Sequence, residues 1–292
     1  MRSKWVDIDG PVHYMDWGGI GRPMVLVHGL GGSYVEWMLM APRLVRHFRV
    51  LAPDMVGFGR TPVGHRHATL DVNQRMVDTF LRRVVKEPAI VVGHSMGGTI
   101  AMLQAGRGAD TLSDLVLIDP AIPPAGHEVT PVIPKPILQL VEQNRMLGNL
   151  TGLLAARFLG PRGLVESALR RAVVDFEAID SRLVDSLVAM EEERIRAGLP
   201  YVGWTEARMS LAHYYRDVRA FDRDVVDPIS APTMLIYGDA DPIVQRGAIR
   251  RLSRRQPSWD VHILENVGHD PNFEVPERVG DLILEHLSIA AA

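Results

Sequence analysis

The chain has 292 residues, 47% of them hydrophobic, with 32 Lys and Arg against 35 Asp and Glu and a net charge of -3. That length suits one large α/β domain or a domain with an insertion, and the near-neutral charge gives no electrostatic reason to expect nucleic acid or an acidic membrane as partner. Cysteine is absent, which excludes disulfides, thiolate metal sites and a cysteine nucleophile.

The first residues, "MRSKWVDIDGPVHYMDWG", lack the apolar stretch of a secretory signal. No apolar run approaches the roughly 20 residues of a membrane span. A soluble cytoplasmic protein is the default expectation, with export by another route left open. Within that first stretch Asp9-Gly10 supplies a hairpin turn. Next come four short runs rich in Val, Leu and Ile, each ending in Gly, Ser or Asp: "PMVLVHG" (23–29), "RVLAPD" (49–54), "AIVVGHS" (89–95) and "LVLID" (115–119). They read as buried strands. Helical patterns at 70–86 and 97–106 lie between them, so the alternation predicts βαβ units and a parallel sheet.

After Asp119 the texture changes. Six prolines fall within 120–136, and helical patterns follow, among them 181–198 with Ser181 as a candidate cap. Strand signals return at 231–243 and 259–269, and an amphipathic helix over roughly 276–289 follows. Residues 123–213 therefore read as a helical insertion between two strands of one sheet. The core is made of 1–122 and 214–292. An insertion behind a strand's C-terminal end sits over the face where open α/β sheets bind ligands, where it would act as a lid.

The chemistry centres on "VVGHSMGGTIA" (91–101). Ser95 follows a predicted strand and precedes a predicted helix, the setting of a nucleophile elbow. A serine hydroxyl needs a base within reach. His269, in the polar loop after the last strand, is the candidate among 11 histidines. The base in turn needs an acid to fix its tautomer. Asp241 in "YGDADPIV" is the first choice, with Asp119 and Asp239 as alternatives. Backbone amides of Met96 and Leu30 are placed to hold an oxyanion. Trp37, Trp204, Tyr214 and Tyr215 are candidates for an apolar pocket, each with a core alternative. The run of arginines from Arg246 to Arg255 falls at helical spacing and reads as a solvated face.

The motifs "HGLGG", "PDMVGFGRT", "GHSMGG", "GDADPIV" and "NVGHDPNFEVPE" stand in the order and spacing of the α/β-hydrolases, and the chain resembles a capped serine hydrolase of that superfamily. The resemblance covers the core and no motif of the insertion. It implies a mostly parallel eight-stranded sheet flanked by helices, a helical cap after the sixth strand, a Ser95–Asp241–His269 triad, and no cofactor or metal. It also implies that His28 orders the oxyanion loop, that His94 is the variable residue of the elbow, and that Asp54 anchors a loop. The expected substrate is a small to medium carboxylic ester. Epoxide hydrolases and haloalkane dehalogenases of this fold carry aspartate where this chain has Ser95. Hydrolases of carbon–carbon bonds in ring-cleavage products read Gly-Asn-Ser-Met-Gly-Gly with a proline in the oxyanion loop. This chain shares "SMGG" but has His94 where they have asparagine, and its "HGLGGS" has no proline, so that activity is the runner-up. A cofactor-free perhydrolase and a non-turnover receptor on the same fold are further alternatives. Oligomeric state has no signature in the sequence.

Overall fold

A computed structural model describes residues 1–125, 145–199 and 201–287. Eight strands form one sheet: β1 (Arg2–Asp7), β2 (Pro11–Gly18), β3 (Pro23–Val27), β4 (Arg49–Pro53), β5 (Ala89–His94), β6 (Leu112–Ile118), β7 (Thr233–Gly238) and β8 (Asp260–Leu264). Their order across the sheet is β1-β2-β4-β3-β5-β6-β7-β8. The β1–β2 and β2–β4 pairs are antiparallel and all later pairs parallel. The β1–β2 turn takes Asp9 to φ 52° and Gly10 to φ 113°, a left-handed path that suits the Asp-Gly pair.

The apolar runs are unbroken because the strands are covered on both faces. Val25, Val27, Val91, Leu115, Leu117 and Leu235 point into one layer. There they meet α1 (Leu70–Phe80), α2 (Met96–Arg107) and a later helix, Arg246–Arg255. Their neighbours Met24, Leu26, Ile90, Val92, Val116 and Ile236 point the other way. They pack on Trp37, Met40, Leu44 and Phe48, and on the helix Pro276–His286. The predicted 70–86 helix continues past α1 as a π-turn, Leu81–Val85, and stops at Lys86 with φ 69°.

Between β6 and β7 lie α3 (Arg145–Leu169), α4 (Ser181–Arg196) and α5 (Val202–Tyr215). Helix α3 is broken at Gly160 (φ 68°), just before Pro161. Asp180, rather than Ser181, caps α4 by accepting the Arg182 amide. Three of the six prolines in 120–136 lie outside the described residues. Two of the insertion helices are fixed to the loop after β4. Arg60 makes a two-pronged pair with Glu193 at 2.8 and 2.8 Å. Arg194 donates to the Gly59 and Gly57 carbonyls, and Glu206 accepts the Ala68 amide at 2.7 Å. On the Arg246–Arg255 helix, Arg255 pairs with Asp227, while partly buried Arg251 approaches Asp222 and donates to the Pro123 carbonyl. That face is thus solvated only in part.

The loop after β4 hangs on Asp54. Its buried carboxylate accepts the Tyr34 amide at 2.7 Å, the Arg60 amide at 2.9 Å and His13 Nδ1 at 2.8 Å. This is the anchoring role the resemblance implies. Asp54→Ala leaves three donors without their acceptor, so it should cost on the order of 3 kcal/mol. Urea unfolding should show this as a lower midpoint at unchanged slope. An unchanged midpoint would mean that water replaces the carboxylate.

Candidate active site

Strand β5 runs directly into α2, and Ser95 forms the corner with φ 51° and ψ −119°. Such a conformation is strained for a residue with a Cβ and persists only where its surroundings over-determine it. Here they do. The Ser95 amide donates to the Ile118 carbonyl at 3.0 Å, and the Ser95 carbonyl accepts from Ala121 and Gly98 at 2.9 Å each. A Cβ on Gly97 would stand 2.1 Å from the Val27 carbonyl oxygen, and one on Gly93 2.4 Å from that of Gly97. Only glycine lets α2 start this close to β3.

The loops behind β7 and β8 bring two further side chains to the same edge. His269 Nε2 lies 2.9 Å from Ser95 Oγ, and His269 Nδ1 lies 2.8 Å from Asp241 Oδ2. With a carboxylate on Nδ1, that nitrogen carries the hydrogen, and Nε2 is left to accept from the serine hydroxyl. Asp241 has no exposed side-chain surface. Its Oδ1 accepts the amides of Ile243 at 2.6 Å and Val244 at 2.9 Å. Burial works to raise its pKa, but the hydrogen bond and charge of His269 and those two amides prevail and lower it. The arrangement keeps an anion, an imidazole and a hydroxyl in line.

The two alternative acids also have clear places. Asp239 accepts the Asn266 amide at 2.7 Å and shapes the turn between the β7 and β8 loops. Asp119, buried at the end of β6 with φ 39°, accepts the Gly238 amide at 3.1 Å. Burial, then the charge and hydrogen bond of Asp241, push its pKa well above the ordinary carboxylate value. Asp119 therefore keeps its proton to higher pH than an ordinary carboxyl, beside the carboxylate of Asp241. Ligand-type atoms of Asp119, Asp241 and His269 lie within 4.8 Å of one another, close enough to hold a metal ion. In this structure these groups hydrogen-bond among themselves.

The loop after β3 lies against Ser95. A Cβ on Gly29 would come 3.3 Å from that of Ser95, so the loop that continues into Leu30 passes against the elbow, while Met96 opens α2. His28 accepts the Met55 amide at Nε2 (2.9 Å) and donates from Nδ1 to the Gly29 carbonyl (2.8 Å). It does order this loop. Of the aromatic candidates, Trp204 is 42% exposed, and its indole lies 3.4 Å from where a Gly31 Cβ would be. Trp37 is fully buried and packs in the layer under the sheet. Its neighbours Met40 and Leu44 follow at helical spacing and draw it inward. Tyr214 turns to the outside of α1 and bonds Asp71 and Arg107.

A feature absent from the sequence reading is the setting of His94. It is buried, with Glu36 at Nδ1 and the His269 carbonyl at Nε2. Asp270 Oδ1 also faces His94 Nε2, at 3.4 Å. The available signal is Glu36 itself, a carboxylate flanked by Val35 and Trp37: where it is buried, as here, its charge needs a partner.

Asp119 gives a pH-dependent prediction. The unfolded chain releases this proton near pH 4, whereas the folded chain keeps it to higher pH. Wild-type stability therefore falls across that window as pH rises. Asp119→Asn preserves the shape and has no proton to keep. Its stability relative to wild type should increase from pH 4 to pH 8 in urea titrations. A constant difference would show that Asp119 is ionised.

Residues 24–282 match the model of the Alpha/beta hydrolase family. The chain is 25% identical over 272 residues to a pimeloyl-(acyl-carrier protein) methyl ester esterase of Aeromonas hydrophila, covering 92% of this chain and 96% of that one. It is 29% identical over 260 residues to a 2-hydroxy-6-oxo-2,4-heptadienoate hydrolase of Pseudomonas putida, covering 86% and 83%. An esterase structure from Thermogutta terrifontis superposes with a TM-score of 0.72 at 22% identity, over 99% of this chain and 98% of that one, and shows the same fold. With a family match that spans six of the eight strands and all three loops that meet at Ser95, the chain belongs to the alpha/beta hydrolase family.

Proposed function

We propose that the protein is a serine hydrolase of small to medium carboxylic esters, with Ser95 as nucleophile, His269 as base and Asp241 as orienting acid. The observation that carries this reading is the continuous hydrogen-bond line Ser95 Oγ–His269–Asp241, at 2.9 and 2.8 Å. Ser95 attacks the ester carbonyl as its proton passes to His269 Nε2. The developing oxyanion lies between the amides of Met96 and Leu30. Collapse expels the alcohol, which takes the proton from His269, and leaves an acyl-serine. His269 then activates water to release the acid. The positive end of α2, aimed at the hydroxyl, favours the same negative charge.

The helices between β6 and β7 form the cap, and Trp204 on α5 supplies its apolar wall beside the oxyanion loop. No cofactor or metal has a step in this scheme. The ester reading draws on the methyl ester esterase relative. A second reading is cleavage of a carbon–carbon bond in a ring-cleavage product, drawn from the heptadienoate hydrolase relative. His94 at the elbow and the proline-free "HGLGG" weigh against it.

Hydrolysis of p-nitrophenyl esters from acetate to palmitate tests the proposal. Wild type should show an optimum at short to medium acyl chains. Ser95→Ala should lose several powers of ten in kcat, and Asp241→Asn about four, because the wrong tautomer of His269 then faces the serine. Turnover undiminished in Ser95→Ala would refute the nucleophile. Inactivity on every ester, with turnover of a ring-cleavage dienoate, would select the second reading.

A further inference from the structure

Glu36, His94 and Asp270 form a second group of titratable side chains beside Ser95, and the chemistry above uses none of them. Side-chain exposure is 4% for Glu36, 4% for His94 and 10% for Asp270. His94 Nδ1 lies 2.6 Å from Glu36 Oε1. On the other side of the ring, Nε2 lies 2.9 Å from the His269 carbonyl oxygen and 3.4 Å from Asp270 Oδ1. A carbonyl oxygen only accepts, so Nε2 carries a hydrogen. Nδ1 faces a carboxylate whose other oxygen already accepts the Gly29 amide at 3.0 Å. With acceptors on both sides, both ring nitrogens donate. Burial opposes that charge, but Glu36, followed by Asp270 and the His269 carbonyl, outweighs it and raises the His94 pKa to about 9.

We propose that His94 is a positioning residue for the Ser95 chemistry, a buried imidazolium that locks the Gly29–Leu30 loop, through Glu36, to the backbone of His269. This rests on the roles given to Ser95 and His269 above. Through Glu36 the ring fixes the Gly29 amide, and with it the next peptide plane, which aims the Leu30 N–H. Through the His269 carbonyl it fixes the backbone that carries the base. The ring itself sits at the end of β5, one residue before Ser95, so nucleophile, oxyanion loop and base share one reference point. A neutral side chain with a donor on one side can hold one of the two loops and not both.

The titratable groups facing this ring are Glu36 from the Tyr34–Trp37 turn, and Asp270 and His269 from the loop after β8. Asp241 and Asp119 stand behind His269. The folded pKa lies above the ordinary histidine value of 6.5. The contribution of the imidazolium is therefore complete below about pH 6.5 and is lost as pH rises through about 9.

The test combines two measurements on the full chain. Histidine side-chain nitrogen NMR of wild type reads the protonation state of His94, assigned by its loss in His94→Gln. The rate at which a fluorophosphonate labels Ser95, scaled to the folded fraction, is compared in wild type, His94→Gln, Glu36→Gln and the double variant. Both His94 nitrogens should be protonated at pH 7. Each single variant should label about 10 to 100 times more slowly, and the double variant no more slowly than the worse single one. A neutral His94 at pH 7 would overturn the proposal, as would folded single variants that label at the wild-type rate. A role in stability alone would lower the folded fraction and leave that rate unchanged. If His94→Gln does not fold, Glu36→Gln carries the rate comparison. A wild type that labels no faster than Ser95→Ala refutes the nucleophile itself. That result is distinct from variants that label as fast as a reactive wild type.

Discussion

The site depends first on a backbone approach. Helix α2 starts so close to β3 that a Cβ on Gly97 would fall 2.1 Å from the Val27 carbonyl oxygen. That contact holds Ser95 in its unusual conformation, at φ 51°. Strain of this kind costs on the order of 1–3 kcal/mol, and the hydrogen bonds of the Ser95 amide and carbonyl offset it. Once the hydroxyl is raised above the sheet edge, the loops after β3, β7 and β8 have a common point to meet. A side chain at 93 or 97 would collide with a carbonyl oxygen and force β5 and α2 apart at the residue that carries the hydroxyl.

Electrostatics is the second constraint, because the region buries more acids than it can leave ionised. Two rows of titratable groups meet at His269. One runs Asp119–Asp241–His269, the other Glu36–His94–Asp270. Asp119 and Asp270 are both pushed upward, chiefly by burial, whereas Asp241 is lowered. The difference lies in the partners. Asp241 has an imidazole on one oxygen and two amides on the other. Asp119 has one amide and a neighbouring carboxylate. Environment thus sorts similar side chains into an anion and a proton holder.

The strands and the elbow were legible in the sequence because their signals are local. Buried parallel strands must be apolar on both faces, and a turn this tight must be glycine. Asp241 and His269 were legible through the motifs around them and their order along the chain. The errors share a different cause. Trp37 and Trp204 look alike in sequence, and only packing decides that one lies under the sheet while the other stands beside Gly31. Ser181 and Asp180 are adjacent and both suit a helix cap, and the non-helical backbone at Asp180 decides between them. The Glu36–His94 pair is 58 residues apart. No pattern within either segment names its partner.

The same reasoning bears on where specificity resides. Helix α5 lies on the loop after β4 through another close approach, since a Cβ on Gly203 would stand 2.8 Å from the Gly57 carbonyl oxygen. Glu206, one turn further on, accepts the Ala68 amide from that loop. Between these two fixed points stands Trp204, with its indole against Gly31. Under the proposed function, a substrate approaching Ser95 from that side meets a ring carried on backbone that is held by close contacts, though less tight ones than those of the elbow. The exposed apolar residues Phe158 and Leu159, by contrast, stand next to the break at Gly160, where α3 has no continuous hydrogen-bond ladder. The insertion therefore combines a wall at Trp204 held by the loop after β4 with a helix that is broken at Gly160 and packs its Leu169 end against Val35 and Phe273. Under the proposed function, selection among acyl groups falls first to the wall at Trp204, since a rigid surface can reject a poorly fitting group and a yielding one cannot.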